Sequence, residues 1–269
     1  MPLLDIDQQG QFLVRDERKL SLKHSFPVRQ LGNVVTINRG CVIPDDRLLL
    51  CQLKDKQLIV SKPDGSNPSV INLDSKPFNI CLYNKNHALV AASNAGIQII
   101  DLTSLKPGRR IEVQGNCTGI TSVKDKIWVK NQPYSLTIVD INGKVLKVIE
   151  TTFDPREICA NQDGDVYCTD NKSDKVYVVT SDGKEREIYN SPDLQNADGV
   201  AVDERGNVYV AGWFTHNIHK IFNDGQKSDI VLSPDDGINE PTCLSYNNET
   251  NELLVLHDDG RSIHIYKAQ

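Results

Sequence analysis

The stretch "VDERGNVYVAGWFTHNIHKIFNDGQ" (202–226) is matched by "ANQDGDVYCTDNKSDKVYVVTSDGK" (160–184), and this pairing decides the fold. Gly164 falls opposite Gly206, Val166-Tyr167 opposite Val208-Tyr209, and Asp182-Gly183 opposite Asp224-Gly225, each at an offset of 42. A fixed period in this range marks a repeat architecture. Extending it in both directions gives six units, beginning near Asn38, Phe78, Thr118, Arg156, Asp198 and Thr242. One column tests the alignment: Cys41, Cys81, Thr121, Cys159, Ala201 and Ser245 are all small, at spacings of 40, 40, 38, 42 and 44. The column before it is aliphatic in five units (Ile80, Ile120, Ile158, Val200, Leu244), with Gly40 in the first.

Within a unit the runs are short and strand-like. The fourth reads "REICA", "DVYCT", "KVYVV" and "EREIY", rich in β-branched and aromatic residues and separated by Asp163-Gly164, Asn171-Lys172-Ser173 and Asp182-Gly183. No segment sustains a 3.6-residue period over helical length. Four antiparallel strands repeated about every 40 residues make a propeller blade. The expected fold is therefore all-β, a six-bladed propeller of four-stranded antiparallel blades. The last unit offers only "TCLSY", "ELLVL" and "SIHIYK" before the sequence ends. An open edge is a liability, so an N-terminal strand is expected to complete the last blade. Spacing places it near Val28–Leu31, in "SFPVRQL". This divides the chain into an extension or linker at 1–25 and a propeller at 26–269. Within the extension, "QFLV" and "LSLKH" are candidate further strands. Small residues in the column are expected where inner strands crowd the axis, so Cys159→Leu is expected to overpack it by about 1–3 kcal/mol.

The repeats "GVAVDERGNVYVAG" and "NIHKIFNDG" resemble NHL repeats, most closely the C-terminal propellers of tripartite-motif (TRIM) proteins of the invertebrate expansion. The segment "DIVLSPDDGINEPTCLSYNNETNELLVLHDDG" is similar to their closing segment. The resemblance is clear over 155–269 and rests on pattern over 38–150. It implies a non-catalytic recognition domain that binds a protein or peptide on one face, the substrate-recognition module of a TRIM-like ubiquitin ligase. The zinc and coiled-coil segments that carry ubiquitin transfer in that family have no counterpart here, so no enzymatic activity is expected of this chain.

A second resemblance competes. "ADGVAVDERGNVYVAGW" around Asp198 is similar to a ligand-bearing stretch of gluconolactonase-like and paraoxonase-like propellers, which hold a central divalent metal, typically calcium. A hard cation takes six to eight oxygens. Asp198, Glu157 and Asn79 could contribute, whereas Arg156, Arg39 and Phe78 do not suit a cation cage, and the family's early Glu-Gly-Pro and Asn-Gly are missing. Calcium-dependent lactonase-like hydrolysis is thus an alternative, and no metal or other cofactor is the main expectation. RNA binding, known in some NHL propellers, is the other alternative. A net charge of −6 and mixed signs on the expected face disfavour it.

That face collects Lys54, Phe78, Lys130, Tyr134, Arg156, Asp170, Lys172, Asp198, Trp213, Phe214, His216 and His257. The partner-binding set drawn from it is Trp213, Phe214, His216, Arg156, Asp198, Phe78, Tyr134 and Lys172, with the Trp-Phe pair at its centre because aromatics dominate interface hot spots. A fold-back of both rings over their own blade is the alternative. His216 and His219, three apart across a loop and a strand, point to opposite faces and form no metal pair. Seven cysteines without CxxC spacing fit buried thiols of a reducing compartment. No apolar run approaches the roughly 18 residues that cross a bilayer, and "MPLLDIDQQG" lacks the pattern of a secretory leader. A cytoplasmic protein is expected.

Overall fold

In the computed structural model, residues 20–268 are described, and before them a short antiparallel ladder of Asp5–Ile6 with Phe12–Leu13. Six four-stranded antiparallel sheets follow one another around a ring. Their inner strands are Arg39–Ile43, Asn79–Asn84, Gly119–Val123, Pro155–Ala160, Ala197–Val202 and Cys243–Asn247. Each touches the inner strands of both neighbouring blades, so the six together enclose a central channel. The blade count and the repeat register hold as expected.

The second strands explain the apolar runs of the sequence. "RLLLCQ" (Arg47–Gln52), "HALVA" (His87–Ala91) and "ELLVLH" (Glu252–His257) are covered on both faces by adjacent blades. Strands sandwiched in this way lose the in–out alternation of a half-exposed sheet. Six buried clusters result, one at each blade junction. Gly199 shows how tight the inner ring is: a Cβ there would meet the Leu244 backbone nitrogen at 2.8 Å.

The N-terminal strand closes the ring, but it lies earlier than the spacing places it. Leu20–Pro27 pairs antiparallel with Ser262–Ala268, setting Phe26 opposite Ile263 and His24 opposite Ile265. The closing strand thus begins inside the segment assigned above to the extension. Val28–Leu31 is instead one turn of 3₁₀ helix. The reason is local. Val28 donates its N–H to Arg261 O at 2.8 Å, and the chain then turns to bury Val28 and Leu31 in the junction between the first and last blades. This turn lengthens the link to the first blade, which an extrapolation from the other links does not include.

The small column is small for two different reasons. Ala201 is buried against its neighbours and stays out of the channel cavity, as crowding requires. Cys41 and Thr121, buried, and Cys81, Cys159 and Ser245, half-buried, line a channel cavity of roughly 400 Å³. All seven cysteines are free.

Candidate functional site

The chemistry concentrates where the inner strands begin. Two of the six inner strands are irregular at that end. The ladder slips between Pro155 and Ile158 in the fourth blade and between Ala197 and Val200 in the fifth. Bulges re-aim side chains, and these two carry Arg156-Glu157 and Asp198-Gly199. Thr169, fully buried, ties them together: its Oγ1 accepts the Glu157 N–H at 3.2 Å and donates to Asp198 O at 2.9 Å.

From the first blade, Arg39 reaches across the channel to both carboxylates. Its Nε donates to Glu157 Oε2 at 2.5 Å and its Nη2 to Asp198 Oδ1 at 2.9 Å. Arg156 holds the other oxygen of Asp198 through Nη2 at 3.0 Å and donates from Nη1 to Asn196 Oδ1 at 2.5 Å. Asn79 donates its side-chain amide to Glu157 Oε1. Two guanidiniums and two carboxylates, drawn from three blades, therefore form one network. Burial opposes the charge on Arg39, but Glu157 and then Asp198 outweigh it and hold its pKa above the ordinary guanidinium value. Beside this network, Lys130 Nζ lies 3.7 Å from Asp154 Oδ1, an oxygen with no hydrogen-bond partner, while Asn171 donates to Asp154 Oδ2. The mouth above is a cavity of roughly 240 Å³ walled by Arg39, Lys130, Arg156, Glu157 and Phe78.

On the far side of the network, burial pushes the channel thiols up, to about 12 for Cys81, Cys159 and Cys243. Thiols held protonated are poor nucleophiles and poor ligands.

The expected partner face is only partly one site. Phe78 and Arg156 line the mouth, and Asp198 is buried in the ion-pair network with Arg39 and Arg156. Lys172 and Phe214 line a shallow neighbouring hollow with Asp170 and Asn196. Trp213 is half-buried and Phe214 is 61% exposed, their ring centres 4.7 Å apart. Their backbone N–H groups dock on Asn196 O and Gln195 O. The Trp213 ring is thus partly shielded, and the Phe214 ring faces water. Tyr134 is exposed on a hairpin of the third blade, away from the mouth's lining. His216 accepts the Glu240 N–H at 3.0 Å. His219 is buried between Tyr189 Oη and Asp193 O, so the two histidines form no pair. Among the described residues, no three His, Cys, Asp or Glu side chains gather as a metal-binding group.

Sequence reasoning brought Asn79, Glu157 and Asp198 together correctly as one column and its neighbour. It set Arg39 aside as an unsuitable cage residue and passed over Asp154 and Thr169. The signal for Arg39 was present, since it occupies the same column as Asn79 and Glu157.

The family model that matches is the SMP-30/gluconolactonase/LRE-like region, over residues 39–256. No curated protein matches the chain. Similar solved structures include a gluconolactonase from Xanthomonas campestris, at 12% identity over 93% of this chain and 95% of that one, TM-score 0.72. Another is the calcium-binding protein regucalcin from Agrobacterium tumefaciens, at 16% identity, 93% and 97% coverage and TM-score 0.69. A third is virginiamycin B lyase from Staphylococcus aureus, at 14% identity, 93% and 89% coverage and TM-score 0.65. At these identities the structures speak to the fold alone. The family match overturns the NHL and TRIM resemblance. With it go the non-catalytic reading and the ubiquitin-ligase recognition role, since the family model that matches is the gluconolactonase-type one. The two repeat types share blade length, strand pattern and Asp-Gly turns, so those letters do not separate them. Among the described residues no helix is long and apolar enough to cross a membrane.

Proposed function

We infer a hydrolytic function from a premise of family: this chain belongs to the SMP-30/gluconolactonase/LRE-like proteins. The proposed activity is lactonase-like opening of a small ester ring at the channel mouth. The observation that carries it is the convergence of Glu157, Arg39 and Arg156 on one cavity. Water oxygen bonds to the acyl carbon and the ring C–O bond breaks. The proton lost by water passes to the leaving alkoxide, giving a hydroxy acid. Glu157 is the proposed base: each of its oxygens accepts one hydrogen bond and keeps a lone pair for water. Arg156, the more exposed guanidinium, with 30% of its side chain accessible, is the proposed donor to the carbonyl oxygen as charge develops there. Phe78 supplies an apolar wall.

The calcium of the alternative reading does not fit these residues. Each oxygen of Glu157 and Asp198 already accepts a charged or amide donor, and the two guanidiniums balance the two carboxylates. A cytoplasmic location goes with the proposal, supported by seven free cysteines.

The test is a panel of aliphatic and sugar lactones followed with a pH indicator, since the hydroxy acid releases a proton. Glu157→Gln is expected to lose about 100-fold or more in turnover. Failure of the native protein on the whole panel, or equal rates for the variant, overturns the reading.

A further inference from the structure

We propose that the Arg39 guanidinium is a tethered replacement for a divalent cation at the centre of this propeller, and that removing it unmasks a cation site formed by Asn79, Glu157 and Asp198. Three observations carry this. First, Arg39 stands between two carboxylates contributed by two other blades, at 2.5 Å from one and 2.9 Å from the other. A guanidinium is planar, carries five donors and keeps its charge when buried, so it can bridge two carboxylates as a metal ion would. Second, Asn79 presents the wrong atom to a metal. Its amide nitrogen faces Glu157, while its oxygen accepts the Ile80 N–H at 2.6 Å. An oxygen-seeking cation needs the opposite orientation. Third, the charges already cancel. Arg39 and Arg156 offset Glu157 and Asp198, so a divalent ion entering beside them would meet two fixed positive groups and no net negative charge to hold it. Take Arg39 away and the balance reverses. Glu157 and Asp198 remain mostly buried, with only Arg156 left to compensate them. Two buried carboxylates and one cation call for a replacement, and the Asn79 amide is free to turn its oxygen inward.

Binding and stability carry the test, so its outcome is separate from whether the mouth opens lactones. The native protein is titrated calorimetrically with calcium, magnesium and manganese, and melted in the presence of each ion and of a chelator. Neither saturable heat nor a shifted midpoint is expected. Arg39→Ser is expected to bind calcium or manganese at least 100-fold more tightly than the native protein and to melt higher as either ion is added, because a ligand that binds only the folded state stabilises it. Methylguanidinium, which restores the missing group, is expected to raise its midpoint too. Adding Glu157→Gln and Asp198→Asn to Arg39→Ser is expected to abolish the gain. Tight calcium binding by the native protein that disappears in Glu157→Gln overturns the proposal. So does a folded Arg39→Ser that responds to neither divalent ions nor methylguanidinium. Should Arg39→Ser fail to fold in cation-free buffer, recovery in calcium or methylguanidinium supports the assignment, and failure in both counts against it.

Discussion

Stability is expected to fall sharply between pH 6.5 and 4.5, and His257 is the group to perturb. It ends the second strand of the last blade, 3% exposed, with neither ring nitrogen hydrogen-bonded. The His264 ring packs edge-on at 4.1 Å, and His264 Nδ1 is paired with Tyr266 Oη. Asp258 Oδ2 approaches His257 Nδ1 at 3.7 Å, too far for a hydrogen bond. Burial, then the neighbouring His264, lower the pKa of His257 to about 4, while Asp258 opposes them. Burial lowers His264 as well. The sign follows from proton counting. Below pH 6.5 the unfolded chain binds a proton at residue 257 that the native state refuses, so unfolding gains ground until the native pKa is reached. At 1.36 kcal/mol per unit, the two units from pH 6.5 to 4.5 cost roughly 2–3 kcal/mol. The assay is urea denaturation of the native protein and His257→Phe at several pH values. Other groups titrate in both proteins, so the difference between the curves isolates residue 257. The variant is expected to close on or overtake the native protein as pH falls, by about 2 kcal/mol or more. Parallel curves would refute the reasoning, because they would mean that His257 titrates alike in both states.

Two further substitutions test the ring itself. Ala201→Leu, at a fully buried site packed against the blade beside it, is expected to cost about 1–3 kcal/mol in urea denaturation. Cys159→Leu is expected to cost less, since the longer side chain has the channel to extend into, and the reverse order would contradict the two-reason account of the small column. Phe26→Ala, in the closing strand, is expected to cost about 3–5 kcal/mol, because its ring fills the junction between the first and last blades. A loss under 1 kcal/mol would mean that the strand does not seal the ring.

The blades were legible in the sequence because each is built from local terms repeated six times. Strand runs of β-branched residues, Asp-Gly turns and a small column beside an aliphatic one all recur within about 40 residues. Even the open edge announced itself, since a blade with three strands must find a fourth. Its position did not, because the 3₁₀ turn at Val28–Leu31 is stabilised by burial at the ring closure, a contact between chain ends that no period encodes. The family was not separable from the repeat letters either. Asp-Gly turns and inner-strand packing answer to blade geometry, which unrelated propellers share.

The centre of the molecule depended on tertiary structure still more. By itself the sequence determined which residues stand at the start of each inner strand: Arg39, Asn79, Glu157 and, one step earlier, Asp198. Read as a row, Arg39 looks incompatible with a cation site. Only closure of the ring brings its guanidinium across the channel onto carboxylates 118 and 159 residues away. Two bulges aim those carboxylates inward, and Thr169 holds the bulges together. Coulomb interactions fall off with distance in space and not along the chain. Which carboxylates Arg39 meets was therefore decided by the ring.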